Sequence, residues 1–185
     1  EAKHFINLAT YYNSHPKNYK EVKELVNSNI LFIIKLINSF PSKKNLEIIN
    51  ICSAFQLVDF KFQNTYSLSK QMINNFLIDN NYSHKNIYLF DTFGKNDTRN
   101  KVTDVFIKKI LNNQKINIGS NKVRINLSNV NNICFSLVNS IKKPNGNYCI
   151  KSKNTIFLED LAKLIMKKTK KIIKIEKKDY VLCYF

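Results

Sequence analysis

The chain has 185 residues, of which 44% are hydrophobic and 23% are charged. This size and composition suit one compact domain, or part of a larger one, and exclude a mainly disordered chain. The formal net charge is +17, but the 30 basic residues are 28 Lys and only two Arg, alongside 28 Asn and 24 Ile. That joint excess is typical of an AT-rich genome, whereas a nucleic-acid surface also favours arginine. We therefore expect a solvated basic surface and no specific nucleic-acid partner.

Other classes of function are also disfavoured. No apolar run approaches the roughly 20 residues of a membrane span. The four cysteines, Cys52, Cys134, Cys149 and Cys183, form no C-x-x-C pair, and the three histidines lack the spacing of metal ligands. We expect neither a metal site nor a disulfide framework. Because the sequence shows no secretory signal, we expect a cytoplasmic protein.

Strand and helix patterns alternate through the first half of the chain. Apolar runs at 4–9, 46–51 and 86–90 predict buried strands. The spacing of apolar residues between them predicts helices over 17–39 and 66–79. The residues expected to face the core in these helices are Val22, Leu25, Val26, Ile30, Ile33, Ile37, Met72, Ile73, Phe76 and Leu77.

Shorter elements follow after residue 95. The predicted helices are 102–112, 129–141 and 158–168, and the predicted strands are 116–118, 123–127, 147–151 and 172–175. The clearest helical period is that of Val130, Ile133, Cys134, Leu137, Val138 and Ile141. The alternation predicts an α/β fold, a doubly wound parallel sheet with a smaller lobe after about residue 91.

The chemistry is concentrated between Ser53 and Lys70. Tyr66 and Lys70 are four residues apart on a predicted helix and therefore share one face. An ammonium group beside a phenol lowers the phenol's pKa from about 10 toward physiological pH, so such a tyrosine can exchange protons with a substrate hydroxyl or carbonyl. Tyr19 and Lys23 have the same spacing, but only Tyr66 follows a hydroxyl residue at the carboxyl end of a strand, where ligands gather in open α/β sheets. Alternatively, Ser53 only caps its turn and Tyr66 and Lys70 are a solvated pair.

This order of motifs resembles a known family. Ser53, the Tyr66-x-x-x-Lys70 pair thirteen positions later, and the run from Leu89 to Gly94 look like the extended short-chain dehydrogenase/reductases, the NAD-dependent epimerase/dehydratase group that acts on nucleotide sugars. The segment Phe90-Asp91-Thr92-Phe93-Gly94-x-x-Asp97-Thr98-Arg99 is similar to the CDP-sugar reductases of the CDP-abequose type.

The resemblance extends from about residue 4 to residue 175. It implies that residues 1–90 are the remaining part of a Rossmann-type NAD(P)-binding domain. It also implies that residues 91–185 are mainly a substrate-binding lobe, small and α/β, interleaved with the Rossmann core. The implied reaction is NAD(P)-dependent reduction, epimerisation or dehydration of a nucleotide sugar. The resemblance leaves the oligomeric state open, with a homodimer as one option.

The resemblance also implies residue roles. Tyr66 would be the acid/base, Lys70 would tune it and bind the nicotinamide ribose, and Ser53 would hydrogen-bond the reacting sugar oxygen. The other residues implied for the cofactor are Ala9, Thr10, Asn29 and Phe90, and those implied for the substrate are Asp91, Arg99 and Arg124. Arg124 opens a segment that faintly resembles the family's Arg-Asp-x-x-His-Val signature, without its Asp and His. Asn29 as an ordinary helix residue and Arg124 as a surface charge are the alternatives.

The Gly-rich turn that begins this family is missing. The three glycines, Gly94, Gly119 and Gly146, form no G-x-x-G-x-x-G pattern, so this chain has no phosphate-cradling turn. The resemblance implies on the order of 70 residues ahead of Glu1, and the apolar run at 180–185 suggests that the other end is also cut. Three functions remain open: a 4-keto nucleotide-sugar reductase of surface polysaccharide synthesis, an inactive remnant of that family, or a basic nucleic-acid-binding module.

Overall fold

The computed structural model describes residues 3–41, 46–59, 63–97, 99–119 and 123–178. They form two compact units. The first unit comprises the chain up to residue 90 together with 136–150, and the second comprises 91–135 and the chain from 151 onward. The apolar run at 180–185 and Thr98 of the family-like segment lie outside the described residues.

The first unit is built on a four-stranded parallel sheet in the order β1-β2-β3-β8. Its strands are β1 (His4–Asn7), β2 (Glu47–Ser53), β3 (His84–Leu89) and β8 (Gly146–Ile150). Its helices are α1 (Tyr19–Val26), α2 (Phe32–Asn38) and α3 (Thr65–Asp79), with a π-helical turn (Asn27–Leu31) joining α1 to α2 and a 3-10 turn (Ala54–Gln56) after β2. The predicted parallel pairing of the first three strands is confirmed, as is the α/β fold class with a parallel central sheet.

Local sequence fixes where these helices start. The side chain of Asn18 accepts a hydrogen bond from the backbone N–H of Glu21 and so caps α1. Asn64 and Ser67 form a reciprocal capping box at the start of α3. Both caps satisfy backbone N–H groups that the first turn of a helix leaves without partners.

The core of the first unit lies between the sheet and one face of these helices. Its fully buried members are Ile30, Ile33, Ile37, Leu46, Ile48, Ile73 and Leu77. Two residues predicted to face this core are instead exposed, Val22 by 39% and Met72 by 52%. Both lie at the margin of their helix's apolar stripe, where the spacing rule alone does not separate core from surface.

The second unit contains shorter elements. They are β4 (Asp91–Phe93), α4 (Val102–Leu111), β5 (Ile116–Gly119), β6 (Arg124–Ile125), β7 (Leu127–Asn129), β9 (Ile156–Phe157), α6 (Leu158–Thr169) and β10 (Ile175–Lys178). Strand β4 pairs with β7 and β10 with β5 in parallel, and β6 pairs with β9 in antiparallel fashion. Phe106, Ile110, Ile116, Ile118, Leu161 and Ala162 form its buried core.

Three expectations for the later part of the chain are corrected. The predicted strand at 123–127 is two short strands, β6 and β7. The last strand begins at Ile175, and Ile172 is 96% exposed. In helix α5 (Val130–Ser140), Ile133 and Leu137 are buried, but Val130, Cys134 and Val138 are exposed. In an isoleucine-rich chain, apolar residues also occupy solvent-facing positions. The buried face predicted for α5 therefore includes residues that are exposed to solvent.

Candidate active site at the carboxyl ends of β1 and β2

Strands β1 and β2 bring two candidate residues to one edge of the sheet. Asn7 and Asn50 are register partners in these neighbouring parallel strands. Thr10 lies three residues beyond Asn7, and Ser53 lies three residues beyond Asn50. Because the strands run in the same direction, both hydroxyl residues are placed at the carboxyl end of the sheet.

Tyr66 in α3 reaches the chain that follows β1. The Thr10 hydroxyl donates a hydrogen bond to the Tyr66 hydroxyl, with 3.4 Å between the oxygens. The Tyr12 ring packs edge-on against the Tyr66 ring, with centroids 4.9 Å apart at 71°. The phenol is therefore oriented by two residues of the segment after β1, and its hydroxyl points to the carboxyl end of that strand.

Lys70 lies one helical turn after Tyr66 and is deeply buried. Its side chain is 4% exposed, and its Nζ is 6.0 Å from the centroid of the Tyr66 ring. Burial lowers the pKa of Lys70 to about 8, an effect partly opposed by the nearby Cys52 thiol. Within the described ranges Lys70 has no hydrogen-bond or ion-pair partner. By contrast the buried Lys85 pairs with Glu47 and donates to the carbonyl of Ile141.

The second Tyr-x-x-x-Lys pair provides an internal comparison. Lys23 Nζ lies 5.9 Å from the centroid of the Tyr19 ring, nearly the same separation as in the Tyr66–Lys70 pair. Tyr19 is nevertheless 79% exposed, and Lys23 is also exposed. The sequence spacing thus produces the same local geometry twice, but only one pair lies at the carboxyl end of the sheet with a buried amine.

Ser53 is the last residue of β2 and also starts the following 3-10 turn. Its hydroxyl oxygen accepts a hydrogen bond from the Phe55 N–H at 3.3 Å, while its own N–H donates to Gln56 Oε1 at 2.8 Å. The capping role considered from the sequence is therefore real. A serine oxygen that accepts one bond can still donate its proton, so capping does not prevent Ser53 from donating to a ligand.

Asn29 connects the long helix to the segment after β1. It is 2% exposed and lies in the π-helical turn. Its Oδ1 accepts from the Tyr11 N–H at 2.7 Å, and its Nδ2 donates to the Tyr11 carbonyl at 3.0 Å and to Ser69 Oγ at 3.0 Å. Asn29 is thus not an ordinary exposed helix residue. It ties the backbone beside Thr10 to the helix that carries Tyr66.

Sequence reasoning missed a row of asparagines across the sheet. Asn7, Asn50, Asn86 and Asn147 are register partners on β1, β2, β3 and β8, and their side chains are hydrogen-bonded from one strand to the next. The first three are between 0% and 4% exposed. We call these four residues the asparagine row. Asparagine within otherwise apolar predicted strands was the available signal, but polar residues in strands are usually read as solvent-facing.

The remaining first-unit candidates are near the same strand ends. Ala9 is half-buried and packs against the core between the sheet and the helices. Phe90 directly follows β3 and is also half-buried.

The second unit contains the three residues implied for the substrate. Asp91 begins β4, and burial raises the pKa of its carboxyl group while the ammonium of Lys101 opposes that rise. Arg99 forms a bidentate pair with Asp97, in which Nε donates to Oδ1 at 2.8 Å and Nη2 donates to Oδ2 at 2.6 Å. Nη2 also donates to Thr92 Oγ1 at 3.2 Å. The bidentate pair lowers the pKa of Asp97 to about 2.

Arg124 has a different environment. It is exposed at the start of β6, and its guanidinium carbon lies 4.2 Å from the centroid of the Phe157 ring. One guanidinium nitrogen also donates to Thr155 Oγ1 at 3.4 Å. Stacking on an aromatic ring orients the guanidinium plane while leaving its edge able to bind an anion.

In the part of the chain that the structure describes, no group of three or more His, Cys, Asp and Glu residues could hold a metal ion. Over the same residues, no helix combines the length and hydropathy that crossing a membrane requires.

No protein-family model matches this sequence, and no curated protein matches it. Solved structures match in fold. A UDP-N-acetylglucosamine 4-epimerase from Methanobrevibacter ruminantium, in complex with UDP-N-acetylmuramic acid, has a TM-score of 0.77 at 17% identity, over 97% of this chain and 64% of that one. A UDP-glucuronic acid 4-epimerase from Bacillus cereus, in complex with NAD, has a TM-score of 0.78 at 14% identity, over 95% of this chain and 62% of that one. RMD from Pseudomonas aeruginosa, complexed with NADPH, has a TM-score of 0.76 at 13% identity, over 96% of this chain and 70% of that one.

At these identities the likeness shows the fold, which is that of Rossmann-type NAD-binding epimerases. The chain spans less than two thirds of the length of three of the matched structures, namely 63%, 64% and 65%.

Proposed function

We propose that this chain carries the catalytic part of an NAD(P)-dependent enzyme that reduces a 4-keto nucleotide sugar, as the CDP-abequose-type reductases do. The observation that carries the proposal is the placement of Tyr66. Its hydroxyl accepts a hydrogen bond from Thr10 just beyond the carboxyl end of β1, and the buried Lys70 amine lies over its ring. A fold shared with enzymes solved in complex with NAD, NADPH and a UDP-sugar supports the same proposal.

In this proposal Tyr66 is the general acid. Its hydroxyl gives a proton to the oxygen of the substrate carbonyl, while Ser53 donates a hydrogen bond to the same oxygen and orients it. Lys70 stabilises the phenolate left on Tyr66, and the Thr10 hydroxyl donates to it. The carbonyl thereby becomes a hydroxyl, and Tyr66 regains its proton from solvent.

The residues present fit one end of a nicotinamide cofactor. When bound, the reduced nicotinamide supplies the hydride that the carbonyl carbon takes up. Ala9 is small and half-buried next to Thr10, and the Lys70 ammonium, without a hydrogen-bond or ion-pair partner in the described ranges, can bind ribose hydroxyls. Asn29 holds this segment in place, and Phe90 is assigned to the nicotinamide side. No Gly-rich turn in the sequence offers backbone N–H groups to the pyrophosphate.

We assign the nucleotide-sugar contacts to the second unit. Arg124, fixed on the Phe157 ring, is the residue that we expect to bind the diphosphate. Asp91 is assigned to a sugar hydroxyl. Arg99 is assigned to the substrate by the resemblance, with its guanidinium group held by Asp97 and Thr92.

The second candidate is a catalytically inactive remnant of the same family. The 185 residues contain no Gly-rich turn, and cofactor affinity in this architecture comes largely from the pyrophosphate at a helix N-terminus. Both candidates predict that the 185 residues alone bind NADPH poorly. They differ once any coding sequence in frame ahead of Glu1 is included.

The test uses the 185-residue chain and that longer form. NADPH oxidation is followed with 4-keto sugars linked to CDP, UDP and dTDP, for the parent, Tyr66→Phe and Tyr19→Phe. We expect turnover in the longer form, a loss of at least about a thousandfold in Tyr66→Phe with nearly intact NADPH binding, and no change in the matched control Tyr19→Phe. Unchanged turnover in Tyr66→Phe would refute the mechanism. A longer form that binds NADPH but reduces none of these sugars would favour the remnant.

A further inference from the structure

Asn74 lies one helical turn after Lys70, on the same face of α3. It is 2% exposed, and it is the point at which the helix is hydrogen-bonded to the asparagine row. We propose that Asn74 is a positioning residue: its buried amide fastens the Tyr66–Lys70 face of α3 to two strands of the sheet. This inference rests on the proposed function, because it names what holds the proposed acid and its lysine in place.

The amide of Asn74 makes three contacts. Its Oδ1 accepts from Asn50 Nδ2 at 2.6 Å and from the Cys52 thiol at 3.2 Å, both on β2. Its Nδ2 donates to the Tyr88 hydroxyl at 3.3 Å, on β3. Contacts to two adjacent strands from one side chain fix both the rotation of α3 about its axis and its height above the sheet.

The partner on β2 is itself held firmly. Asn50 is fully buried, its Oδ1 accepts from Asn7 Nδ2 at 3.1 Å, and its Nδ2 also contacts Asn86 Oδ1 at 3.2 Å. The row therefore couples β1, β2 and β3 at one level of the sheet. At its β1 end the Oδ1 of Asn7 is buried without a partner, whereas Asn50 is bonded through both ends of its amide. A buried network is rigid where its members are satisfied, and losing one member weakens the bonding of the others in a low-dielectric region.

Lys70 depends on this arrangement because nothing else in the described residues bonds to its amine. The amine is positioned by packing and by the helix that carries it, and Asn74 lies one turn further along the same face. Cys52 lies close to both residues, since its thiol donates to Asn74 and the same group acts electrostatically on Lys70. Replacing the amide with an isosteric apolar side chain would remove the nearest acceptor of both the Asn50 amide and the Cys52 thiol, which would keep Asn86 Oδ1 at 3.2 Å and contacts at 3.7 Å, respectively. Water entering to satisfy them would also hydrate Lys70.

The experiment measures the titration of Lys70 in lysine-labelled protein from its ¹³Cε chemical shift, with the resonance assigned through Lys70→Arg. The variants are Asn74→Leu, which removes the amide, and Asn74→Asp, which keeps the Oδ1 acceptor of Asn50 and Cys52 and replaces the Nδ2 donor with a second oxygen that can accept from the Tyr88 hydroxyl. Asn75→Leu is the matched control, because Asn75 is the neighbouring exposed residue of the same helix and its side chain accepts a hydrogen bond from Gln71 rather than from the sheet. Amide hydrogen exchange of α3 is recorded in parallel.

In Asn74→Leu we expect the pKa of Lys70 to rise by at least about half a unit as water reaches the amine, and the α3 amides to exchange about tenfold faster. Asn75→Leu should match the parent in both measurements, and Asn74→Asp should restore the slow exchange of α3. If Asn74→Leu does not fold, Tyr88→Phe, which removes one of the three contacts, should show a smaller acceleration of the same amides.

A folded Asn74→Leu or Tyr88→Phe variant with parental Lys70 titration and parental α3 exchange would overturn the assignment. These measurements need no turnover, so they separate this inference from the proposed function. A shifted Lys70 together with catalysis that is indifferent to Tyr66→Phe would leave the positioning intact and reject the proposed reaction.

Discussion

The hydroxyl oxygen of Thr10 lies 3.4 Å from the hydroxyl oxygen of Tyr66, although 56 residues separate them in the chain. The contact joins the segment that follows β1 to the first turn of α3. Asn29 holds the backbone next to Thr10, and Tyr12 packs on the Tyr66 ring. Tyr66 is thus oriented from outside its own helix, which is what a group that transfers a proton at a fixed point requires.

Removing the Thr10 hydroxyl should slow the proposed reaction without unfolding the protein. Thr10 is exposed, so Thr10→Val costs little stability, but the phenolate of Tyr66 loses a donor. In the catalytically competent form we expect kcat to fall by about tenfold with KM for the sugar nucleotide nearly unchanged. Thr10→Ser keeps the hydroxyl and should retain most of the activity. Equal rates for the valine variant and the parent would show that this contact has no catalytic role.

The buried Lys70 makes stability depend on pH. Its pKa falls from 10.5 to about 8 on folding. The unfolded chain therefore binds more protons than the folded chain between these values, and stability rises with pH across that window. Below about pH 8 the charged, buried amine costs on the order of 3 kcal/mol.

Lys70→Met keeps most of the side-chain volume and removes this cost. We expect the variant to exceed the parent in free energy of unfolding by about 1–3 kcal/mol at pH 7, with the difference shrinking as the pH rises from 8 toward 10. Urea denaturation at several pH values measures both quantities. Lys23→Met, at the exposed Tyr-x-x-x-Lys pair, should change stability by less than about 0.5 kcal/mol at every pH. A Lys70→Met protein no more stable than the parent at pH 7 would contradict the burial argument.

The sequence alone was sufficient for the order of the main strands and for α3. Apolar runs bounded by polar turns identify β1, β2 and β3, and the helices between them are long enough for parallel crossovers. The position of Ser53 at the end of β2 and of Tyr66 and Lys70 on one helix face follow from the same patterns. Their roles in catalysis stay predictions.

What could not be predicted depends on three-dimensional surroundings. Met72 and Ile172 are apolar yet exposed, because this isoleucine-rich composition also places apolar residues in solvent. Conversely, Asn50 and Asn74 are polar yet buried, because each finds its partner on another element. Residue type indicates burial only on average, and a hydrogen-bond network across four strands has no local sequence signature.

Gly94 is expected to be required for close packing in the second unit. A Cβ atom added there would lie 2.6 Å from Val130 Cγ1 and 3.2 Å from Val130 Cβ, closer than van der Waals contact allows. We expect Gly94→Ala to lower the free energy of unfolding by about 1–3 kcal/mol. Valine is stiff at χ1, so its side chain cannot simply rotate away.

A double-mutant cycle isolates this contact. Val130→Ala removes Cγ1, and Val130 is 41% exposed, so this change alone should cost little. In the Gly94→Ala/Val130→Ala protein the 2.6 Å clash with Cγ1 is gone and only the milder 3.2 Å approach to Cβ is left, so most of the lost stability should return, giving a coupling of about 1–2 kcal/mol in chemical denaturation. Additive effects of the two substitutions would mean that the glycine is required for another reason.

The high net charge gives the last prediction. If the +17 reflects base composition, binding to duplex DNA should be weak, independent of DNA sequence and largely lost at about 0.15 M salt. The matched variants are two triple Lys→Gln proteins with equal charge loss: one at the exposed Lys167, Lys168 and Lys170 near the end of α6, the other at the scattered, exposed Lys20, Lys35 and Lys142. If the charge reflects base composition, both variants should weaken low-salt binding by the same factor, because each removes three non-specific phosphate contacts. Fluorescence anisotropy over a salt series measures this. Sub-micromolar binding at about 0.15 M salt that only the α6 variant abolishes would instead identify a selected nucleic-acid surface.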